Sequence, residues 1–280
     1  MIRDIAVVTD SASYLPSALS ARYGVRVVPL TVTIDGCSYR EGLDIDAETL
    51  YARLASGASA TTSQPSPGEL LDAYRACAEG GARAVVSAHI GAAVSGTVQS
   101  ARLAAAAAPV PVTVVDTGQA SFAEGLVVWE LLKALERGED PGRMQAYADG
   151  ASSRVGNTFI VKGLDLLRRG GRLEAGAAAV AIPVLAMREG AVRVVGSAAN
   201  VPEAVEHMAS HVREAAENAR GPLRVGIGHG AAAEIAGALR AEVARIPGVG
   251  EVIDYVVGPS IGAHAGPGNA GAVFIDRIQS

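Results

Sequence analysis

The chain has 280 residues, which exceeds the usual size of one hydrophobic core, so we expect two domains. Hydrophobic residues make up 49% of it and charged residues 19%, a balance typical of a globular protein and not of a disordered one. The formal net charge of −5 argues against a nucleic-acid partner, because phosphate binding requires clustered Lys and Arg. No apolar stretch reaches the ~20 residues that span a bilayer, so no membrane span is expected.

The N-terminus and the cysteines bear on the compartment. Met1-Ile2-Arg3-Asp4 places an acid where a secretory signal would continue apolar. Cys37 and Cys77 are too few and too isolated for a disulfide framework or a zinc site. We expect a cytoplasmic protein that holds neither a metal nor a cofactor.

In the first half, short runs rich in Val and Ile alternate with segments of helical period, which predicts βαβ units on a parallel sheet. The predicted strands are Ile5 to Thr9, Val25 to Ile34, Ala84 to Ala88 and Val112 to Asp116. Start signals predict three helices, which open at Pro16, after the cap Asp46 and at the capping box of Ser66 and Glu69. Ligands of such sheets bind at the carboxyl ends of the strands, so the loops there are of most interest.

A break in composition at Gly150 to Gly156 separates the two halves. It predicts an N-terminal α/β/α domain of residues 1–155 with a parallel sheet and a C-terminal mixed α/β domain of residues 156–280. The elements predicted for the second half are a strand at Thr158 to Val161, a turn at Gly170-Gly171, a hairpin at Arg188-Glu189-Gly190, a helix from Pro202 to Asn218, and then strand, helix and a strand at Ala272 to Ile278.

Several motifs have a functional and a plain interpretation. The run Gly226 to Ala231 fits a dinucleotide fingerprint, but the acid expected at the end of the next strand is absent, which favours a tight strand-to-helix turn. Gly258-Pro259-Ser260-Ile261-Gly262 has the spacing of a nucleophile elbow, yet a Gly- and Pro-rich loop is expected after the Ser where a helix is required. His207 and His211 could share a metal, but the apolar stripe of their helix favours a solvated face.

Three hydroxyl- or glycine-rich loops remain: Thr61 to Pro67, Ser95-Gly96-Thr97, and Gly262 to Gly268. Ser and Thr at helix starts are commonly caps, and composition leaves that interpretation open. Ser66 is already the natural cap of its helix, however, which leaves Thr62 and Ser63 free to face a ligand. Ser95 opens a helix whose N-terminal N–H groups favour an anion.

These blocks, together with Val8-Thr9-Asp10-Ser11-Ala12 and Arg169-Gly170-Gly171-Arg172, resemble the DegV family of bacterial fatty-acid-binding proteins over essentially the whole chain. The resemblance implies a two-domain α/β fold with a fatty acid, such as palmitate, in a tunnel at the domain junction. It implies that Thr62 and Ser95 bind the carboxylate, with Ser63 and Gly96 beside them, and that His264 helps to close the polar end. It implies no catalytic residue.

Some members of the family present the bound acid to a separate, dihydroxyacetone-kinase-like fatty acid kinase subunit. The segment Arg193 to Asn200 lacks the basic run usual for that step, and His89 to Val94 lacks the family's usual hydroxyl residues. We therefore expect a carrier of a long-chain fatty acid, with the kinase as a possible partner. The alternative is an enzyme that acts on an acyl or nucleotide-linked substrate through His264 or His229.

Overall fold

The computed structural model of the protein describes residues 4–172 and 182–277, so the expectations for Met1 to Arg3 and for Ile278 lie outside the described residues. Its helices and strands are, in chain order, β1 (Ile5–Asp10), α1 (Ser17–Tyr23), β2 (Arg26–Val28), β3 (Thr31–Ile34), β4 (Cys37–Arg40), α2 (Ala47–Ala55), β5 (Ala60–Ser63), α3 (Pro67–Glu79), β6 (Ala84–His89), α4 (Thr97–Ala105), β7 (Val112–Asp116), α5 (Phe122–Glu136), α6 (Met144–Ser152), β8 (Gly156–Ile160), α7 (Asp165–Arg169), β9 (Ile182–Arg188), β10 (Ala191–Ala198), α8 (Val201–Asn218), β11 (Leu223–Gly230), α9 (Ala233–Val243), β12 (Val249–Val256), α10 (Pro259–Ala265) and β13 (Asn269–Asp276). Short 3-10 helices occupy Ser11–Ser13 and Pro141–Arg143.

The strands form a parallel four-stranded sheet of order β2-β1-β6-β7, a mixed six-stranded sheet of order β10-β9-β8-β13-β11-β12, and a small sheet of order β4-β3-β5. The predicted α/β class, with one parallel and one mixed sheet, is confirmed. Among the described residues, no helix is both long and apolar enough to cross a membrane.

The chain divides into two compact units made of interleaved segments. The first unit comprises the chain up to Val32, Ser38–Asp44 and Thr62–Ser153. The second unit comprises Thr33–Cys37, Ile45–Thr61 and the chain from Arg154 onward. The division into domains at residues 155 and 156 stays a prediction.

The parallel sheet of the first unit packs helices α3 and α4 against it. Leu70, Tyr74, Val85 and Ala101 are fully buried in this core. Helix α3 begins with the predicted capping box: Glu69 N donates to Ser66 Oγ at 3.2 Å and Ser66 N donates to a carboxylate oxygen of Glu69 at 2.8 Å. This reciprocal pair satisfies two N–H groups that a helix end would otherwise leave open.

The single strand predicted from Val25 to Ile34 is wrong, because the structure breaks it into β2 and β3 at Pro29-Leu30. Proline has no N–H to give to a strand ladder. The N–H of Leu30 turns away to Ser11 Oγ at 2.9 Å. The break lets one apolar run supply strands to two different sheets.

In the second unit, helices α8 and α9 cover the mixed sheet, with Met208, Val212, Val225 and Leu239 in the core. The predicted hairpin is confirmed: β9 and β10 are antiparallel, and Glu189 and Gly190 between them both have positive φ, as a type I′ turn requires. Strands β11 and β12 are parallel, with α9 between them in the chain.

Two predictions for glycine-rich segments of this unit are wrong. Gly226 and Gly228 lie within β11 and not in a turn, and the ring of Tyr255 on the paired strand occupies the place of a side chain at Gly228. The loop expected after Ser260 is the short helix α10, which Gly258 caps and Pro259 opens, since proline suits the first helical position.

Candidate functional site

The candidate site lies at the carboxyl edge of the parallel sheet, where the loops after β1, β6 and β7 meet. Ile90 N donates to Asp10 Oδ2 at 3.0 Å, which ties the loop after β6 to the end of β1. Gly91 N donates to the carbonyl of Gln119 at 2.7 Å, which ties the same loop to the one after β7. The three loops therefore form one connected surface at the edge where such sheets bind ligands.

Ser95 lies in this surface, half-buried, just before helix α4. Its hydroxyl oxygen is 2.8 Å from Thr97 Oγ1 and accepts from Thr97 N at 3.3 Å. The residue that caps the helix is Gly96, which has no side chain to satisfy the first N–H groups. A hydroxyl at a helix N-terminus lies where the helix dipole favours an anion.

Thr62 and Ser63 are the last two residues of strand β5, where the sequence predicted a loop. Thr62 is half-buried and Ser63 is exposed. The amide of the next residue, Gln64, lies directly over Gly96, so that a β carbon at Gly96 would come within 2.9 Å of Gln64 Nε2. The structure thus brings the Thr62 segment and the Ser95 turn together within the first unit.

His264 lies in the last turn of α10, in the second unit. A β carbon at Gly170 would come within 2.9 Å of both His264 Nδ1 and Arg172 Nη1, so the imidazole and the guanidinium face the same glycine. Burial, and secondarily the charge of Arg172, lower the pKa of His264 to about 4. The imidazole is therefore neutral at pH 7.

Sequence reasoning missed a buried polar network in the first unit. His89 Nδ1 is 3.1 Å from Asp10 Oδ2, His89 Nε2 is 2.7 Å from Ser87 Oγ, and Ser87 Oγ is 2.9 Å from the hydroxyl of Tyr74. All four side chains are fully buried. The available signal was the spacing of Ser87 and His89, which places two polar side chains on one face of an apolar strand.

Ser87, His89 and Asp10 have the connectivity of a hydrolase triad. The Ser87 side chain is 0% exposed, however, and its oxygen lies between His89 and Tyr74. Burial raises the pKa of Tyr74 to about 12, so its hydroxyl keeps its proton. This triad is sealed in the core and presents no hydroxyl to a substrate.

Glu124, in the first turn of α5, is a second buried acid close to this network. Thr9 Oγ1 donates to Glu124 Oε1 at 3.3 Å, while Glu124 Oε2 has no hydrogen-bond partner among the described residues. Burial first, and the charge of Asp10 second, raise the pKa of Glu124 well above its usual value. Burial and the neighbouring negative charge therefore both favour the protonated form of Glu124.

No group of three His, Cys, Asp or Glu side chains within the described ranges could hold a metal ion. The expectation that His207 and His211 both face solvent is wrong for His211. Its Nδ1 lies 3.1 Å from Thr158 Oγ1 on the buried sheet, and burial lowers its pKa. His207 lies 4.0 Å from Glu203 on the same helix.

Comparison with known proteins places the chain in a family. The model of the family described as "Uncharacterised protein, DegV family" matches residues 4–277. The chain belongs to the DegV family. A DegV domain-containing protein of Streptomyces coelicolor is 36% identical over 99% of this chain and 100% of its own length.

Solved DegV-family structures share the fold over nearly the whole chain. The structure from Thermus thermophilus, described as fatty acid binding of a DegV family protein, has a TM-score of 0.91 and 36% identity, and covers 98% of this chain and 100% of its own. A stearic acid-binding protein from Eubacterium ventriosum has a TM-score of 0.88 and 26% identity, and covers 96% of this chain and 97% of its own.

Proposed function

We propose that the protein binds a long-chain fatty acid such as palmitate, with the hydroxyls of Thr62 and Ser95 donating hydrogen bonds to its carboxylate. Ser63 and Gly96 contribute from the same two segments. The observation that carries the proposal is the contact of Gln64 with Gly96, which joins these segments at the N-terminus of α4. Relatives from Thermus thermophilus and Eubacterium ventriosum that bind fatty acids support the class of ligand.

The energetics suit an acyl ligand. A tail of about fourteen methylenes at ~0.8 kcal/mol each supplies roughly 11 kcal/mol of gross driving force before the costs of binding. An unpaired buried carboxylate would cancel much of this, so the head group requires donors. Each charge-assisted hydrogen bond contributes about 1.5–3 kcal/mol, which two hydroxyls and a helix N-terminus can supply without a lysine or arginine.

We further propose that the protein is a carrier and leaves the ligand chemically unchanged. The one Ser–His–Asp set identified in the described part of the chain is sealed in the core, which disfavours the alternative of an acyl-processing enzyme. The role of His264, presentation of the acid to a kinase subunit and a cytoplasmic location stay predictions. Incubation with acyl-CoA or acyl-phosphate separates the two classes, because a carrier leaves both intact.

The binding proposal is tested by extracting the gently purified protein with organic solvent and identifying released lipid by mass spectrometry. We expect a long-chain fatty acid in near-stoichiometric amount. Replacement of both Thr62 and Ser95 by Ala should weaken the affinity of the delipidated protein at least about 10-fold, since two charge-assisted bonds are lost.

The matched control is Ser153→Ala, which removes an exposed hydroxyl whose partner is the carbonyl of Gly150 in the same unit. Its affinity should equal that of the unaltered protein. An empty extract together with no measurable affinity for added palmitate would contradict the function. Unchanged affinity in the folded double variant would contradict the site.

A further inference from the structure

The buried carboxylate of Asp10 is contacted by three nitrogen atoms, from the 3-10 helix after β1, from the end of β6 and from the loop that follows β6. Oδ1 accepts from Ala12 N at 3.1 Å, and Oδ2 accepts from Ile90 N at 3.0 Å and lies 3.1 Å from His89 Nδ1. The side chain is 0% exposed, although burying a charge without compensation is costly. Three donors compensate that cost, and one of them is the first N–H of the loop that leads to Ser95.

That loop is fixed at three consecutive backbone N–H groups. Ile90 N is held by Asp10, Gly91 N by the carbonyl of Gln119 at 2.7 Å, and Ala92 N by Asp116 Oδ1 at 3.1 Å. Thr117 Oγ1 also donates to the carbonyl of His89 at 2.7 Å, immediately before the loop. The start of the loop is therefore held by hydrogen bonds to the ends of both neighbouring strands, β1 and β7.

The backbone of Ser95 is hydrogen-bonded directly to the start of this loop. Its backbone N–H donates to the carbonyl of Gly91 at 3.1 Å, and Val94 N donates to the same carbonyl at 3.0 Å. A displacement of Ile90 and Gly91 would thus move the turn that carries the Ser95 hydroxyl. Hydrogen-bond strength falls steeply with poor geometry, so a small displacement matters at this position.

The rest of the network keeps Asp10 in one orientation. Tyr74 and Ser87 hold the far side of the His89 ring, which leaves Nδ1 directed at Asp10. Glu124 lies nearby, and burial first and the charge of Asp10 second raise the pKa of Glu124 well above its usual value. Charged acceptors form the stronger hydrogen bonds, which suits an anchor.

We propose that Asp10 is a positioning residue for the carboxylate site, and that its buried side chain sets the place of the Ser95 hydroxyl by holding the backbone of Ile90. The inference rests on the proposed function, since the hydroxyl it places is the one assigned to the fatty-acid carboxylate. Asp10 itself does not contact the ligand.

The test is a double-mutant cycle of Asp10→Asn and Ser95→Ala, with palmitate affinity as the readout. Asp10→Asn should raise the Kd about 5- to 20-fold in the otherwise unaltered protein and less than about twofold in the Ser95→Ala background, because the interaction it supports is already gone. The matched control is Asp140→Asn, an exposed acid of the same unit that accepts from Gly142 N at 3.0 Å. That control should leave the Kd unchanged.

A second readout needs no ligand. Amide hydrogen exchange at Ile90 to Ser95 should accelerate in Asp10→Asn, while the amides of α3 stay protected. If Asp10→Asn fails to fold, His89→Gln replaces it, with a smaller rise in Kd and the same loss of that rise in the Ser95→Ala background.

Equal effects of Asp10→Asn in both backgrounds, or an unchanged loop by hydrogen exchange, would overturn the positioning role. Failure of the proposed function looks different: neither the unaltered protein nor Ser95→Ala would then show a defined palmitate affinity. In that case the exchange measurement still decides whether Asp10 holds the loop.

Discussion

At the scale of single residues, Glu124 is a carboxyl group that is fully buried in the first unit. It is 0% exposed, and its Oε2 lacks a partner among the described residues. Its pKa is raised in the folded state. Below the unfolded-state pKa both states are protonated, and the contribution of Glu124 to the free energy of unfolding is fully present. As the pH rises toward the folded pKa, only the unfolded chain gains by ionising, and this contribution is lost.

Glu124→Gln should therefore stabilise the protein at pH 8 and much less at pH 5. The amide has nearly the same shape and cannot ionise, so the variant avoids the loss of stability that the raised pKa of Glu124 causes as the pH rises. Urea unfolding of both proteins at the two pH values measures it. A variant that is less stable than the unaltered protein at pH 8 would show that the ionised carboxylate is required.

The residue scale also shows where sequence reasoning stops. Thr62, Ser63, Ser95 and Gly96 could be proposed from capping logic and family blocks, and the structure places their segments in contact through Gln64. The partnership of Asp10 with His89 could not, because it joins residues 79 positions apart on two strands. Such a pair becomes visible only when the order of the strands is known.

At the scale of elements, local chemistry predicted most of what the structure contains. The capping box at Ser66, the cap at Asp46 and the turn at Glu189-Gly190 follow from residue preferences within four positions, and all three are confirmed. Glycine-rich segments were harder. Gly228 looks the same in a turn as in a strand, and only the ring of Tyr255 on the neighbouring strand explains why a glycine stands there.

Gly271 in β13 provides the clearest test of this close strand packing. It pairs with Phe159 on β8, and a β carbon at Gly271 would overlap the Phe159 β carbon and the carbonyl of Thr158. Gly271→Ala should destabilise the protein by about 2 kcal/mol or more. The obstructing atoms are backbone atoms and a β carbon of the neighbouring strand β8, which cannot move aside.

The matched control is Gly237→Ala in helix α9 of the same unit, where a β carbon meets nothing within 4 Å. That change should stabilise the protein by up to about 1 kcal/mol, since alanine is the better helix former. Thermal or urea unfolding compares the two. Equal small effects would refute close packing at Gly271.

At the scale of the whole molecule, a ligand that binds only the folded state must raise its stability. Palmitate at about 100 times its Kd should add about 2.7 kcal/mol to the free energy of unfolding. Hexadecanol has the tail without the carboxylate. At the same concentration as palmitate it should add much less to the free energy of unfolding, if hydroxyls and helix N–H groups recognise the anion. Thermal unfolding with each ligand measures both, and equal shifts would assign recognition to the tail alone.

The arrangement of the chain has a consequence for biosynthesis. Helix α2 belongs to the second unit, where the Tyr51 hydroxyl donates to the carbonyl of Val257, 206 residues later, and accepts from Asn269, 218 residues later. Helix α2 leaves the ribosome long before these partners are synthesised. The face of α2 that is buried in the folded protein therefore cannot pack until synthesis is nearly finished. Pairings this distant in sequence form slowly, so the face of α2 that the folded protein buries is exposed during most of synthesis.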